Sequence, residues 1–389
     1  MIALVLWIVA AAMLPTVWLV AYVAALVHEP VPTALLSGSA IFGAAFLLSW
    51  ATEVAQLDIP RALAISILAL VAVFPEYAVD VYFAWRAGRD PTYTAYATAN
   101  MTGSNRLLIG VGWAVPVLAY ALKTGRREVV LAREQSVEVN YLAWATLYSF
   151  VIPLKGTLAL YDTAILLVVF AAYARAAAKS HHEEPELEGP AELIGRTRPA
   201  MRRAIVLGLF VYAAVAIFTA AEPFAESLVA TGKRFGFDEY LLVQWLAPLA
   251  SESPEFIVAL LFALKGAAAA GMGTMISSKV NQWTLLVGAL PAAFALSGGH
   301  IGPMVLDARQ REEIFLTSAQ SLFGLVVIAN FRFSLGEALL LFALFIPQFV
   351  YTHAAGRLIE AAVYLVLTVI WLMSPSVRAA LRDLFRPKR

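Results

Sequence analysis

Glu76 and Glu255 each follow a proline inside an apolar run, Phe74-Pro75-Glu76-Tyr77-Ala78-Val79 and Ser253-Pro254-Glu255-Phe256-Ile257-Val258. A carboxylate among residues that would sit in hydrocarbon is costly, so its presence there argues for a function. Proline removes a backbone donor and breaks or kinks a helix. The released carbonyls can then act as ligands where they line a cavity. A carboxylate beside them supplies a hard anionic oxygen suited to Ca²⁺, Na⁺ or a proton. One such pair could equally be a kinked packing helix with a paired or protonated Glu. Two at matched positions, about half the chain apart, argue for a repeated ion site, as in secondary transporters.

Each pair is followed by oxygen-bearing residues. After the first comes Ala99-Asn100-Met101-Thr102-Gly103-Ser104-Asn105, and after the second Gly273-Thr274-Met275-Ile276-Ser277-Ser278-Lys279. Asn100 and Ser104 are four residues apart and share a helical face, as do Ser278 and Gln282. Taken alone, such residues are interhelical hydrogen-bonding contacts; beside paired glutamates, they gain a reading as ligands. Glu252 stands three residues before Glu255, and Asp80 four after Glu76, again on shared faces. Asp80 reads either as a proton-relay partner or as a hydrogen-bonding contact. Lys279 and Arg106 bring positive charge into the same runs. An ammonium at that depth must pair or lose its proton. With Glu255 or Glu252 as partner, Lys279 would take the place of one transported cation, so that the ion stoichiometry falls or the carboxylate–lysine pair becomes the proton-coupling element. Otherwise it is a structural ion pair or a side chain reaching for the interface.

The elements that position these residues are membrane helices. The chain has 389 residues, 61% of them hydrophobic and only 14% charged, with a mean hydropathy of +0.76. Runs of bilayer-spanning length predict twelve helices, near 2–27, 32–57, 61–87, 93–122, 136–154, 157–178, 202–231, 238–264, 268–296, 312–330, 334–352 and 357–374. The first run lacks a preceding basic residue and a cleavage site, so it reads as a span. Assigning loops to alternate sides places more than twice as many Lys and Arg on one side. The positive-inside rule then puts both termini and the polar linker in the cytoplasm. Arg133-Glu134 matches Arg311-Glu312, and Asp162 matches Glu337, so five helices recur in each half. An odd number of spans per unit inverts the second unit relative to the first.

The predicted fold is therefore an all-α polytopic membrane protein, an inverted repeat of two five-helix units with one extra helix at each end. Its parts are an N-terminal helix in 1–31, repeats in 32–178 and 202–353, a cytoplasmic linker in 179–201, and a C-terminal helix with a basic tail in 354–389. The absence of cysteine removes disulfides, thiolate metal sites and cysteine nucleophiles. No His-Glu-x-x-His or nucleophile elbow in a fitting context suggests an enzyme. No basic, aromatic-interleaved patch suggests nucleic acid.

Each half resembles the alpha-repeat of the sodium/calcium exchanger (calcium/cation antiporter) superfamily, roughly Gly-Thr-Ser-x-Pro-Glu, then Gly-Asn-x-x-Gly-Ser-Asn-x-x-Asn/Asp. The resemblance implies antiport of Ca²⁺ against Na⁺, with a proton-coupled cation exchanger as the alternative and a non-transporting scaffold or sensor as the rival class. It implies Glu76 and Glu255 as central ligands, with Ser104, Ser278 and Ser251 at the flanking hydroxyl positions; the placement of the residues themselves adds Asn100, Glu252 and Gln282 as candidate ligands and Lys279 and Asp80 as candidates for coupling. The ions are cargo, and no cofactor is implied; the expected partners are inorganic cations and the lipid of the plasma (inner) membrane, with a homo-oligomer compatible. The copies also depart from the pattern. Ala72 and Val73 stand where the first copy would carry hydroxyls, Leu108 stands where the family has Asn or Asp, Gln282 stands at the equivalent place in the second copy, and Glu252 replaces a Ser.

Overall fold

A computed structural model describes residues 2–58, 74–179, 187 and 189–384, and the predicted helix 61–87 falls partly outside them. The chain forms two compact units, one of residues 1–84 and 181–255, the other of 85–180 and 256–389. Both units thus draw on both halves of the sequence. Eight described helices are long and apolar enough to cross a membrane.

The first unit contains α1 (Ile2–Val23), α2 (Pro30–Ala55) and the start of α3 (Phe74–Ala87). Three later pieces complete it: α9 (Pro190–Gly195), α10 (Pro199–Phe235) and α11 (Glu239–Leu264) as far as Glu255. α2 packs on α1 and α10 through small residues. A Cβ on Gly38 would come within 2.7 Å of the Phe224 ring, and one on Gly43 within 2.9 Å of Pro15. Without a solvent-driven hydrophobic effect in lipid, such close backbone approach is what holds helices together. The start of α10 is tied down by Asp58, which accepts from Arg202 at 2.6 and 2.9 Å and from Arg203 at 3.0 Å.

The second unit opens with the end of α3, then α4 (Tyr93–Leu107), a π-helical segment (Leu108–Trp113) and α5 (Ala114–Thr124). β1 (Glu128–Val130), α6 (Ser136–Ser149), α7 (Val151–Lys155), β2 (Thr157–Leu158) and α8 (Leu160–Ala177) follow. After the end of α11 come α12 (Ala268–Asn281), a second π segment (Gln282–Leu286) and α13 (Val287–Gly298). The last elements are β3 (Met304–Val305), α14 (Ala308–Ile328), β4 (Arg332–Ser334), α15 (Leu335–Phe345), α16 (Ala354–Leu372) and α17 (Pro375–Leu384). α14 packs against α4, α6 and α16.

β1 pairs antiparallel with β4, and β2 with β3, so each short ribbon joins one sequence half to the other. Of the residues that marked the repeat in sequence, Asp162 and Glu337 prove to cap helices. Asp162 accepts from the Ala159 amide at 2.7 Å at the start of α8. Glu337 accepts from the Ser334 amide at 2.8 Å, while Ser334 Oγ accepts from the Glu337 amide at 3.2 Å. Such reciprocal bonds satisfy orphan donors of the first turn.

Several ends differ from the sequence expectation. The run 136–154 is two helices interrupted at Phe150, and 334–352 is an α-helix followed by a 3₁₀ turn, Ile346–Phe349. Thr157 and Leu158 pair as a strand where a helix was expected to begin. α10 runs further than 202–231 at both ends, and α9 lies within the expected linker.

Candidate cation site

In the first unit, Glu76 lies in the first turn of α3 and is buried, and Asp80, one turn on, is 0% exposed. α11 carries Ser251 and Glu252, both buried, then Pro254 and the half-buried Glu255. Pro254 lacks the N–H that would bond the Ala250 carbonyl. Ser251 Oγ donates to the Ala247 carbonyl at 3.2 Å, which uses its proton within the helix. Glu255 Oε2 is buried and accepts no hydrogen bond. Its electrostatic neighbours are Glu76 and, more weakly, Glu53. The first unit thus gathers Glu76, Asp80, Ser251, Glu252 and Glu255. Carboxylates sharing an apolar interior repel one another, so such a group calls for a proton or a metal cation. Glu222 and Glu226 of α10 both accept from Tyr82 of α3, at 3.5 and 2.5 Å.

In the second unit, α4 presents two chemically distinct sets of polar side chains. Thr98 and Thr102 donate to carbonyls one turn back, at 2.9 and 2.8 Å, and are satisfied by their own helix. Asn100 and Ser104 are buried, but Asn100 Oδ1 and Ser104 Oγ have no hydrogen-bond partner. Buried polar atoms are nearly always paired, so these two oxygens stand ready for a ligand. On α12, Ser278 is buried, and Gln282 is 0% exposed. Gln282 opens the second π segment as Leu108 opens the first, and both are positions that depart from the repeat pattern. Single π turns inside α-helices recur at functional sites, because they re-aim side chains and loosen the carbonyl ladder.

The two intruding cations are also accommodated in the second unit. Lys279, 0% exposed, donates to the Asn105 carbonyl at 2.9 Å and to Asn105 Oδ1 at 2.6 Å. Its ammonium stands 4.8 Å from the Trp283 ring centroid, a favourable cation–π placement. Arg106 pairs with Glu313 of α14 at 2.6 Å, and Gln320 donates to the Arg106 carbonyl at 3.3 Å. Asn105, Glu313 and Gln320 were absent from the candidate site residues. The signal for Glu313 was an acidic pair, Glu312-Glu313, at the opening of an apolar run.

Buried carboxylates and orphaned oxygens on repeat-matched, proline- and π-interrupted membrane helices define a secondary transporter. The sodium/calcium exchanger protein family model matches residues 31–178 and 205–353. Among solved structures, the H⁺/Ca²⁺ exchanger CAX is 40% identical, with a TM-score of 0.93 over 98% of both chains. The Ca²⁺/H⁺ antiporter YfkE shares the fold at 13% identity, with a TM-score of 0.63 over 93% of this chain and 99% of that one. The sodium-calcium exchanger NCX_Mj does so at 15% identity, with a TM-score of 0.54 over 82% of this chain and 97% of that one. No curated protein matches the sequence. The chain belongs to the sodium/calcium exchanger family: it is an integral membrane cation exchanger, and its ions are substrates.

Proposed function

We propose that this protein exchanges Ca²⁺ for protons by alternating access, with Glu76 and Glu255 as the carboxylates that the two cargoes share. In the first unit Ser251 and Glu252 add oxygens to theirs, and Asp80 passes protons to Glu76; in the second unit Asn100, Ser104, Ser278 and Gln282 are the candidate cation oxygens. Ca²⁺ binds ionised carboxylates, so acidification displaces it, and this competition is the coupling. The observation that carries the proton over sodium is Lys279. Its ammonium takes up both oxygens of Asn105. A fixed cation there leaves fewer oxygens for Na⁺, whereas a proton needs only a carboxylate. The 40% identity to an H⁺/Ca²⁺ exchanger supports the same choice. Sodium, the counter-ion implied by the sequence resemblance, has no comparable support.

The test is Ca²⁺ flux in liposomes with H⁺, Na⁺ and K⁺ gradients applied singly. Uptake driven by the proton gradient alone is expected, and uptake that requires Na⁺ would overturn the choice. The Glu76→Gln, Glu255→Gln double variant should lose flux altogether; a normal rate would refute the site. No uptake under any gradient would favour the scaffold reading.

A further inference from the structure

Glu360 lies outside both repeats, on α16, and plays no part in the site above. A cavity of about 400 Å³ adjoins it, walled by Leu344, Pro347, Tyr351, Ile359 and Tyr364. Both Glu360 carboxyl oxygens are buried, and neither has a hydrogen-bond partner. The charged groups that act on it are Arg106 of α4 and Glu313 of α14. Arg106 is held by Glu313 at 2.6 Å. On Glu360's own helix, Arg357 is held by Glu312 at 2.6 Å, and it lies 3.8 Å from Glu313. The two guanidinium groups are thus matched by Glu312 and Glu313. The remaining polar groups near Glu360 are Tyr364, one turn along α16, and Tyr351 and His353 in the cavity wall; Gln348 donates to Tyr364 at 3.2 Å.

An ionised carboxylate buried without a partner is heavily penalised. It must hold a proton or a metal cation. Ca²⁺ demands about six to eight oxygen ligands, and the wall of this cavity is almost wholly apolar. A proton meets the need with no further ligand.

We propose that Glu360 is a second proton site of this exchanger, filled through the adjoining cavity, and that α4 reads its occupancy through the Arg106–Glu313 pair. When Glu360 ionises, it competes with Glu313 for the Arg106 guanidinium. Arg106 stands two residues after Ser104 and next to Asn105, which holds Lys279. A shift of Arg106 therefore reaches the oxygen-bearing face of α4. Glu360 is a positioning residue in this scheme and touches no cargo. Its effect on transport rests on the proton-coupled reading above; its own protonation does not.

The experiment is an infrared pH titration of the purified full chain in detergent, free of ion gradients, comparing wild type with Glu360→Gln and Glu360→Asp. Wild type should show a protonated-carboxyl carbonyl band that declines as pH rises. Glu360→Gln should lose that band, and Glu360→Asp should keep it at a shifted frequency. Identical difference spectra in wild type and Glu360→Gln would overturn the proposal. Should Glu360→Gln fail to fold, an unshifted band in Glu360→Asp would overturn it equally. In liposomes, Glu360→Gln should still move Ca²⁺, with the slope of log rate against pH lowered by about one. An unchanged slope would overturn the link to α4. Because the infrared readout needs no flux, a failure of proton-driven uptake in wild type counts against the transport reading alone.

Discussion

Arg106 and Lys279 show how a buried cation is retained in a membrane helix. Each has an anionic or amide partner on another element, within 3 Å. Neither partner was legible in sequence, because Glu313 lies 207 residues from Arg106, and Asn105 lies 174 from Lys279. What sequence did expose was the anomaly itself: basic residues in apolar runs beside the Pro-Glu motifs. The carboxylates Glu76 and Glu255 were legible for the same reason, since apolar neighbours make a charge conspicuous. Removing one member of a buried pair strands the other. Arg106→Met should therefore destabilise by about 3–5 kcal/mol, whereas Arg106→Met combined with Glu313→Leu should recover most of that loss. Thermal unfolding in detergent decides the matter: a double variant as unstable as the single one would mean that the pair is not the source of the cost.

Elements were legible where apolar length specifies them and illegible where backbone detail does. α2, α10 and α11 follow from hydropathy runs, but the π segments Leu108–Trp113 and Gln282–Leu286 leave no periodic signature. Sequence marked Leu108 as a departure from a pattern and Gln282 both as a departure and as a candidate ligand; the backbone shows that each begins a change of helix type. The ribbons β1–β4 and β2–β3 were missed because two- and three-residue strands carry too little alternation to read. Asp162 and Glu337 were legible as matched positions, and their capping bonds now explain the match. Ser334→Ala should cost about 1 kcal/mol through the lost cap of α15, measured by chemical unfolding; no loss would show that the ribbon alone sets this helix start. The clamp of α10 responds to acid. Hydrogen bonds from Arg202, followed by those from Arg203, hold Asp58 down from 3.8 to about 2. Its stabilisation is thus complete above the ordinary carboxylate value and is lost as pH falls from 3.8 towards about 2. Asp58→Asn should flatten melting temperature against pH in that window, and an unaltered acid slope would remove Asp58 from the account.

At the scale of the whole molecule, membrane class and repeat follow from composition and spacing, whereas sidedness rests on the distribution of Lys and Arg alone. More than twice as many of these residues fall in the loops shared with the termini and the segment 179–201 as in the opposite set. A membrane potential and anionic lipid act on such loops during insertion, so the bias predicts an orientation with the linker in the cytoplasm. The chain contains no cysteine, so single-cysteine variants report without background. Arg196→Cys stands in the linker region, and Ile301→Cys stands in the turn after α13, where the residue is 84% exposed. In intact cells, a membrane-impermeant maleimide should label Ile301→Cys and spare Arg196→Cys, and lysis should make both reactive. Labelling of Arg196→Cys before lysis, with protection of Ile301→Cys, would invert the exchanger. The proton gradient proposed to drive Ca²⁺ would then act on the opposite face of the repeat, while the direction of net Ca²⁺ movement, which the two ion gradients set, would stay the same.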